Sequence, residues 1–167
     1  MGYVGEGDKL RLWVATRSPF KPTGPGQRDA LVGGGIAYGQ DPFDTMIREA
    51  WEEAGFRPET VMGANPAGEV RFIYQGPQGI DQGLDYQFEV QLDEAVKPEN
   101  QDGEVAGFEL LPIRQVMAEV AAGSNFEPGY LYDARLAFIA FFLRHGYIAG
   151  DDPDYLAIKN ALLGKLD

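Results

Sequence analysis

Apolar positions along the chain fall into two periods, and the switches between them predict its elements. From Lys9 to Thr16, Leu10, Leu12 and Val14 alternate with Lys9, Arg11 and Trp13, the pattern of a half-buried strand. Gly2–Val4 before it, across the turn residues 5–8, makes the pair a hairpin. Ala30–Val32 reads as a short buried strand leading into a glycine cluster. Gly68–Gln75 sets Val70, Phe72 and Tyr74 on one face, and residues 76–83 read as a flexible turn. Gln82–Leu92 alternates most regularly, with Leu84, Tyr86, Phe88, Val90 and Leu92 on one side. Glu104–Leu111 is a further strand.

After Asp41 the period changes to that of a helix, and Phe43, Ile47, Ala50, Trp51 and Ala54 form one apolar face. Asp41 can cap this helix, Pro42 suits its first position, and Gly55 stops it as a left-handed residue. Pro112 opens a second helix to about Ala122. An irregular loop, Gly123–Tyr132, follows. Asp133 then caps a nearly all-apolar helix to His145, ended by Gly146. The lone histidine, in that last turn, suits the helix C-terminus. Leucines of a short tail helix over 153–165 either seal the domain or meet a second subunit, so a homodimer is open. Strands and helices in this order, with crossover-length connections, predict an α/β fold with a mixed sheet between helical layers, as one domain over 1–167.

Composition narrows the function. The 167 residues are 44% hydrophobic and 12% aromatic, enough for a substantial core and against disorder. The chain has no cysteine, which excludes disulfides, thiolate metal sites and a cysteine nucleophile. A formal net charge of −12 argues against nucleic acid or an anionic membrane as partner. The start has no apolar signal segment, and the apolar run Leu136–Leu143 is too short to span a bilayer, so a cytoplasmic protein is the expectation.

The chemistry concentrates between Gly33 and Phe56. Glu49, Glu52 and Glu53, spaced i, i+3, i+4, share one side of the first helix. Such a cluster is either a solvated acidic face or a cation site. The glycines before the helix bring backbone carbonyls beside the carboxylates, and hard oxygen donors suit Mg²⁺ or Mn²⁺. The loop Arg17–Arg28 carries Arg17, Lys21 and Arg28, cations for substrate phosphates; for Lys21 a solvated surface loop is the other reading.

Gly34, five residues, Gln40, seven residues, then Arg48-Glu49-Ala50-Trp51-Glu52-Glu53-Ala54-Gly55-Phe56 resembles the Nudix box. One position departs from it, since the family's first Glu is Gln40 here. The resemblance implies an α/β/α sandwich over roughly residues 2–148 and metal-dependent hydrolysis of a diphosphate linkage, an acid-anhydride hydrolase. It implies Gly34, Glu49, Glu52 and Glu53 as metal ligands, with Glu52, Glu53, Arg48 and Glu104 catalytic. Arg48 would orient a neighbouring carboxylate, and Glu104 is a further ligand, a general base, or a plain edge-strand residue.

Residues 12–18, the box, residues 102–116 and residues 141–148 together resemble the Nudix domain of thiamine-pyrophosphokinase-related proteins, whose members often carry another domain upstream and often lack the first Glu. That likeness implies thiamine diphosphate or an oxidised form of it as substrate. Arg17 and Arg28 are then the phosphate contacts, and Trp13, Tyr74, Tyr86, Tyr130 and Tyr132 are candidate ring platforms, Trp13 and Tyr86 foremost. The alternatives are a Nudix nucleotide or ADP-ribose hydrolase, or a catalytically silent Nudix-fold binding module. Isopentenyl-diphosphate-type isomerisation on this fold resembles a family that uses a cysteine, which this chain lacks.

Overall fold

Leu12, Trp13, Val14 and Ala15 are all buried, so strand β2 (Arg11–Arg17) is covered on both faces. The computed structural model describes residues 1–76 and 79–162, with β2 as the pivot of its sheet. Along one edge, β2 pairs antiparallel with β1 (Gly2–Val4) through Tyr3↔Leu12 and, further along, with β3 (Arg28–Asp29) through Ala15↔Asp29. Along the other edge it pairs antiparallel with β6 (Val105–Pro112). β1 pairs parallel with the end of β5 (Gly79–Gln91), and β5 pairs antiparallel with β4 (Asn65–Gly76). The sheet is therefore mixed, as expected.

Alternation on β2 divides the core. Leu12 and Val14 pack with Ile113, Val116, Phe138 and Phe141 of α3 (Ile113–Ala122) and α4 (Tyr132–Arg144). Trp13 faces the opposite way, into a cluster with Val4, Leu31, Ala50, Ala54 and Phe56 beneath α1 (Pro42–Ala54). Helices thus cover both faces, the layered α/β arrangement that sheets with two apolar faces require. A short helix, α2 (Pro58–Val61), follows α1.

Several boundaries differ from the sequence expectations. The strand expected at Ala30–Val32 is instead β3, two residues earlier. Asp29 Oδ1 accepts the Ala30 N–H at 2.8 Å, so a local side-chain bond replaces the ladder there. Residues 79–83 of the expected turn belong to β5, and Pro77 and Gln78 lie outside the described residues. The apolar side of β5 is only half covered: Tyr86 is 43% exposed while Gln87 on the other face is buried. Helix α4 begins at Tyr132, with Leu131 as its N-cap and Asp133 inside the first turn. The tail helix α5 covers Tyr155–Leu162, and the rest of its expected range lies outside the described residues. Leu162 seals against Val70 and Ala140, whereas Leu156 is exposed. His145 stacks on Phe141 and places Nε2 2.9 Å from Glu89, a structural tie between α4 and β5.

Candidate functional site

The glycine loop and α1 form the site's floor. Asp41 Oδ1 accepts the N–H of Phe43 at 2.8 Å, and Gly55, at φ 65°, ends the helix in the left-handed region. These local signals set where the helix starts and stops. Its rotation is set by the loop: the Gly33 N–H donates to Glu53 Oε2 at 2.9 Å. Glu53 is consequently only 6% exposed, while Trp51, expected on the buried stripe, is half exposed. Burial pushes the Glu53 carboxyl up to about 7, against the opposing pull of the Gly33 N–H. Burial also raises the Glu49 carboxyl. Glu49 packs directly on Gly34, where any Cβ would collide with its carboxyl group.

Cations hold the carboxylates apart in pairs. Arg48 bridges Glu49 and Glu52, at 2.7 Å to each. Lys21 pairs with Glu104 and lies 3.9 Å from Glu53 Oε1. Among the described residues, no three His, Cys, Asp or Glu side chains converge as a ready-made cage. The donor set nevertheless fits a hard divalent cation. All its donors are oxygens, Glu53 is desolvated with one ammonium 3.9 Å away, and the missing Cβ at Gly34 lets the loop backbone reach Glu49.

A cavity of about 680 Å³ opens above this floor. Gly33, Gly34, Gly35, Glu49, Arg17 and Lys21 line it, together with Leu84, Asp85, Tyr86 and Asp133. Arg17 is held in place, donating to Asp29 Oδ2 at 2.6 Å and to Thr23 O at 3.0 Å. Burial first, then Asp133, Asp29 and Asp81, pushes the Asp85 carboxyl up to about 6. Burial raises Asp133 as well. Neither Asp85 nor Asp133 has an ion-pair partner among the described residues.

The NUDIX domain profile matches residues 3–132, most of the chain and all of the floor just described. The chain belongs to the NUDIX family. It is 32% identical over 161 residues to Nudix hydrolase 20, chloroplastic, of Arabidopsis thaliana, covering 96% of this chain and 42% of that protein. It is 27% identical over 180 residues to the uncharacterized protein YJR142W of Saccharomyces cerevisiae, covering 99% of this chain and 51% of that one. The chain thus spans about half the length of these curated relatives. Among solved structures, DR0079 from Deinococcus radiodurans has a TM-score of 0.60 at 24% identity, over 81% of this chain and 77% of that one. The NUDIX domain of Shewanella oneidensis NrtR, solved in complex with ADP ribose, has a TM-score of 0.62 at 14% identity, over 86% of this chain and 82% of that one. These likenesses share the sandwich fold. No described helix is long and apolar enough to cross a membrane.

Within the Nudix fold the structure gathers some expected residues and separates others. Gly34, Glu49, Glu53 and, through Lys21, Glu104 meet at the floor, with Arg48 and Glu52 at its outer side. Arg17 and Tyr86 line the cavity. Arg28 and Trp13, expected to bind substrate, lie outside that lining. Arg28 pairs with Glu119 and Glu109 behind β3, its charge already satisfied there. Trp13 is 5% exposed in the core, on the α1 side of β2. Tyr130 is buried against Phe138, and Tyr132 stacks on Tyr74 at 4.4 Å, neither of them in the lining. The Gln40 side chain is exposed. Sequence reasoning missed Asp85 and Asp133 as cavity residues. The signal for Asp85 is its place on the polar side of the alternating strand β5.

Proposed function

We propose that this chain hydrolyses a diphosphate linkage in a small organic substrate, using a divalent cation held by Glu49, Glu52, Glu53 and the Gly34 carbonyl. The observation that carries this reading is the buried Glu53 carboxylate, fixed by the N–H of Gly33, which itself lines a cavity large enough for such a substrate. A divalent cation bound there supplies charge neutralisation for phosphoryl oxygens and a bound water of lowered pKa. The chain's own residues do the rest. Arg48 orients Glu49 and Glu52. Arg17, locked by Asp29, presents its remaining donors to a phosphate entering the cavity. Glu104, brought to the floor by Lys21, serves as a further ligand or as the proton acceptor.

For the organic end of the substrate we favour a flat cationic heterocycle of the thiamine diphosphate kind. Support comes from Asp85 and Asp133, carboxylates without ion-pair partners among the described residues, and from the partly exposed ring of Tyr86, all three in the cavity lining. A cation over that ring gains about 0.5–2 kcal/mol. The nucleotide reading is the rival, since the NrtR neighbour was solved with ADP ribose. A silent binding module is a second rival, supported by Gln40 and by the absence of a ready-made cage among the described residues.

One assay separates them: cleavage of thiamine diphosphate, its oxidised analogues, ADP-ribose and nucleoside triphosphates, with Mg²⁺, with Mn²⁺ and with EDTA. Metal-dependent cleavage is expected, and Glu53→Gln should lower turnover by roughly 10²-fold or more while the fold is retained. Binding without cleavage under every metal would establish the silent module. A preference of about tenfold, or 1.4 kcal/mol, for a nucleotide would defeat the thiamine reading alone.

A further inference from the structure

The loop between β2 and β3 delivers one cation to the carboxylate floor by a closed turn. The Ser18 N–H donates to Glu104 O at 2.9 Å, and the Lys21 N–H donates to Ser18 O at 3.1 Å. Lys21 and Glu104 therefore share one anchor. The Lys21 side chain is only 18% exposed, so it is not the solvated loop cation that composition suggested. Its ammonium pairs with Glu104 and lies 3.9 Å from Glu53 Oε1. The other nearby cation, Arg48, is committed to Glu49 and Glu52. Among the described residues, Lys21 is thus the cation that faces both Glu53 and Glu104.

We propose that Lys21 is the built-in counter-cation of the metal-free floor, holding Glu53 and Glu104 until a divalent ion takes them over and releases its ammonium into the cavity. The physical case is one of exclusion. Glu53 is desolvated, and the Lys21 ammonium, 3.9 Å from its Oε1, is the cation that the chain itself brings to it. A divalent ion on the same oxygens carries twice the charge, and an ammonium beside it is repelled. Lysine suits exchange because it is a compact charge on a flexible stem, without the fixed fork by which arginine grips two oxygens. Lys21 already lines the cavity, so it moves within the site rather than out of it. The release step rests on the metal-dependent reading above; the ion pair does not.

The test uses the wild-type chain and does not require turnover. Lysine acylation is followed by mass spectrometry at pH 8.5, with and without Mn²⁺. Lys21 should react roughly threefold faster or more once Mn²⁺ is bound, because it leaves its carboxylates, while Lys9 and Lys97 keep their rates. In parallel, Mn²⁺ binding is measured by electron paramagnetic resonance. Lys21→Met should bind roughly threefold tighter or better, since its competitor is gone, and Lys21→Arg, which keeps the charge and adds a fork, should bind no tighter than wild type. A merely structural lysine would leave affinity unchanged or weaken it on removal, and either result overturns the proposal. So does unchanged Lys21 reactivity at saturating Mn²⁺, which decides the matter alone if the Met variant does not fold. Mn²⁺ binding with Lys21 unmoved defeats only this inference. A wild type that binds no Mn²⁺ defeats the metal-dependent reading and this one together.

Discussion

Gly34 has no side chain because the Glu49 carboxyl occupies the space that one would need. Gly34→Ala should therefore push Glu49 off the floor. The obstructed group is the end of a flexible side chain, so stability should fall by only about 1 kcal/mol, while kcat/KM should drop roughly 10²-fold. Thermal melts beside kinetics check this, and a variant with near-native activity would remove Glu49 from the metal site. Asp85 makes a prediction of opposite sign for stability. Burial pushes its folded carboxyl up to about 6, above the unfolded value of about 3.9. The folded state thus holds the proton more tightly. The contribution to stability is full below about pH 4 and is lost as pH rises through 6. Asp85→Asn removes that loss. Urea midpoints should show the variant more stable at pH 8, by on the order of 1 kcal/mol once screening in the open cavity is allowed for, and equal to wild type at pH 4. The same variant should weaken a cationic substrate and should not weaken a nucleotide.

Helix α1 joins the glycine loop to the rest of the fold, and its first turn depends on one cap. Asp41 Oδ1 accepts from Phe43 and Asp44, at 2.8 and 3.4 Å. Asp41→Ala should cost about 1 kcal/mol, within the usual range for caps. Because Glu49 and Glu53 lie on the same helix, kcat/KM should fall as well, but by less than for Glu53→Gln. An unchanged melting temperature would show that the loop, not the cap, holds this end. Caps and stops are local, and for that reason α1 was legible in sequence from Asp41 to Gly55. Its rotation was not, since Glu53 turned inward only because Gly33 lies above it. Arg28, Trp13, Lys21 and Asp85 share that limit. Each sits on an element read correctly or nearly so, but the partners that decide its role, Glu119, Ala50, Glu104 and Asp133, are distant in sequence. Alternation divided β2 into two faces without saying which face met the cavity, and a loop cation could not be told from a solvated one.

At the scale of the whole molecule, a chain of net charge −12 must admit an anionic substrate. The cavity adds Asp29, Asp85 and Asp133 to that field, offset by Arg17 and Lys21. Long-range repulsion slows encounter with an anion, and salt screens it, with a Debye length near 10 Å at 0.1 M. For a site built mainly of cationic phosphate contacts, salt would instead reduce kcat/KM. Here, at saturating Mg²⁺, kcat/KM should rise about twofold or more between roughly 20 and 200 mM NaCl. The slope should follow the substrate's charge, steepest for a nucleoside triphosphate and shallowest for thiamine diphosphate, whose ring cation cancels part of the anion. Asp85→Asn should flatten the slope for nucleotides, because it removes one repelling charge from the cavity wall. Stopped-flow or initial-rate measurements in sodium chloride, with magnesium held constant, separate this field effect from metal loading. A kcat/KM that falls with salt for every substrate would place the controlling charges in local cationic contacts such as Arg17, and not in the acidic surface.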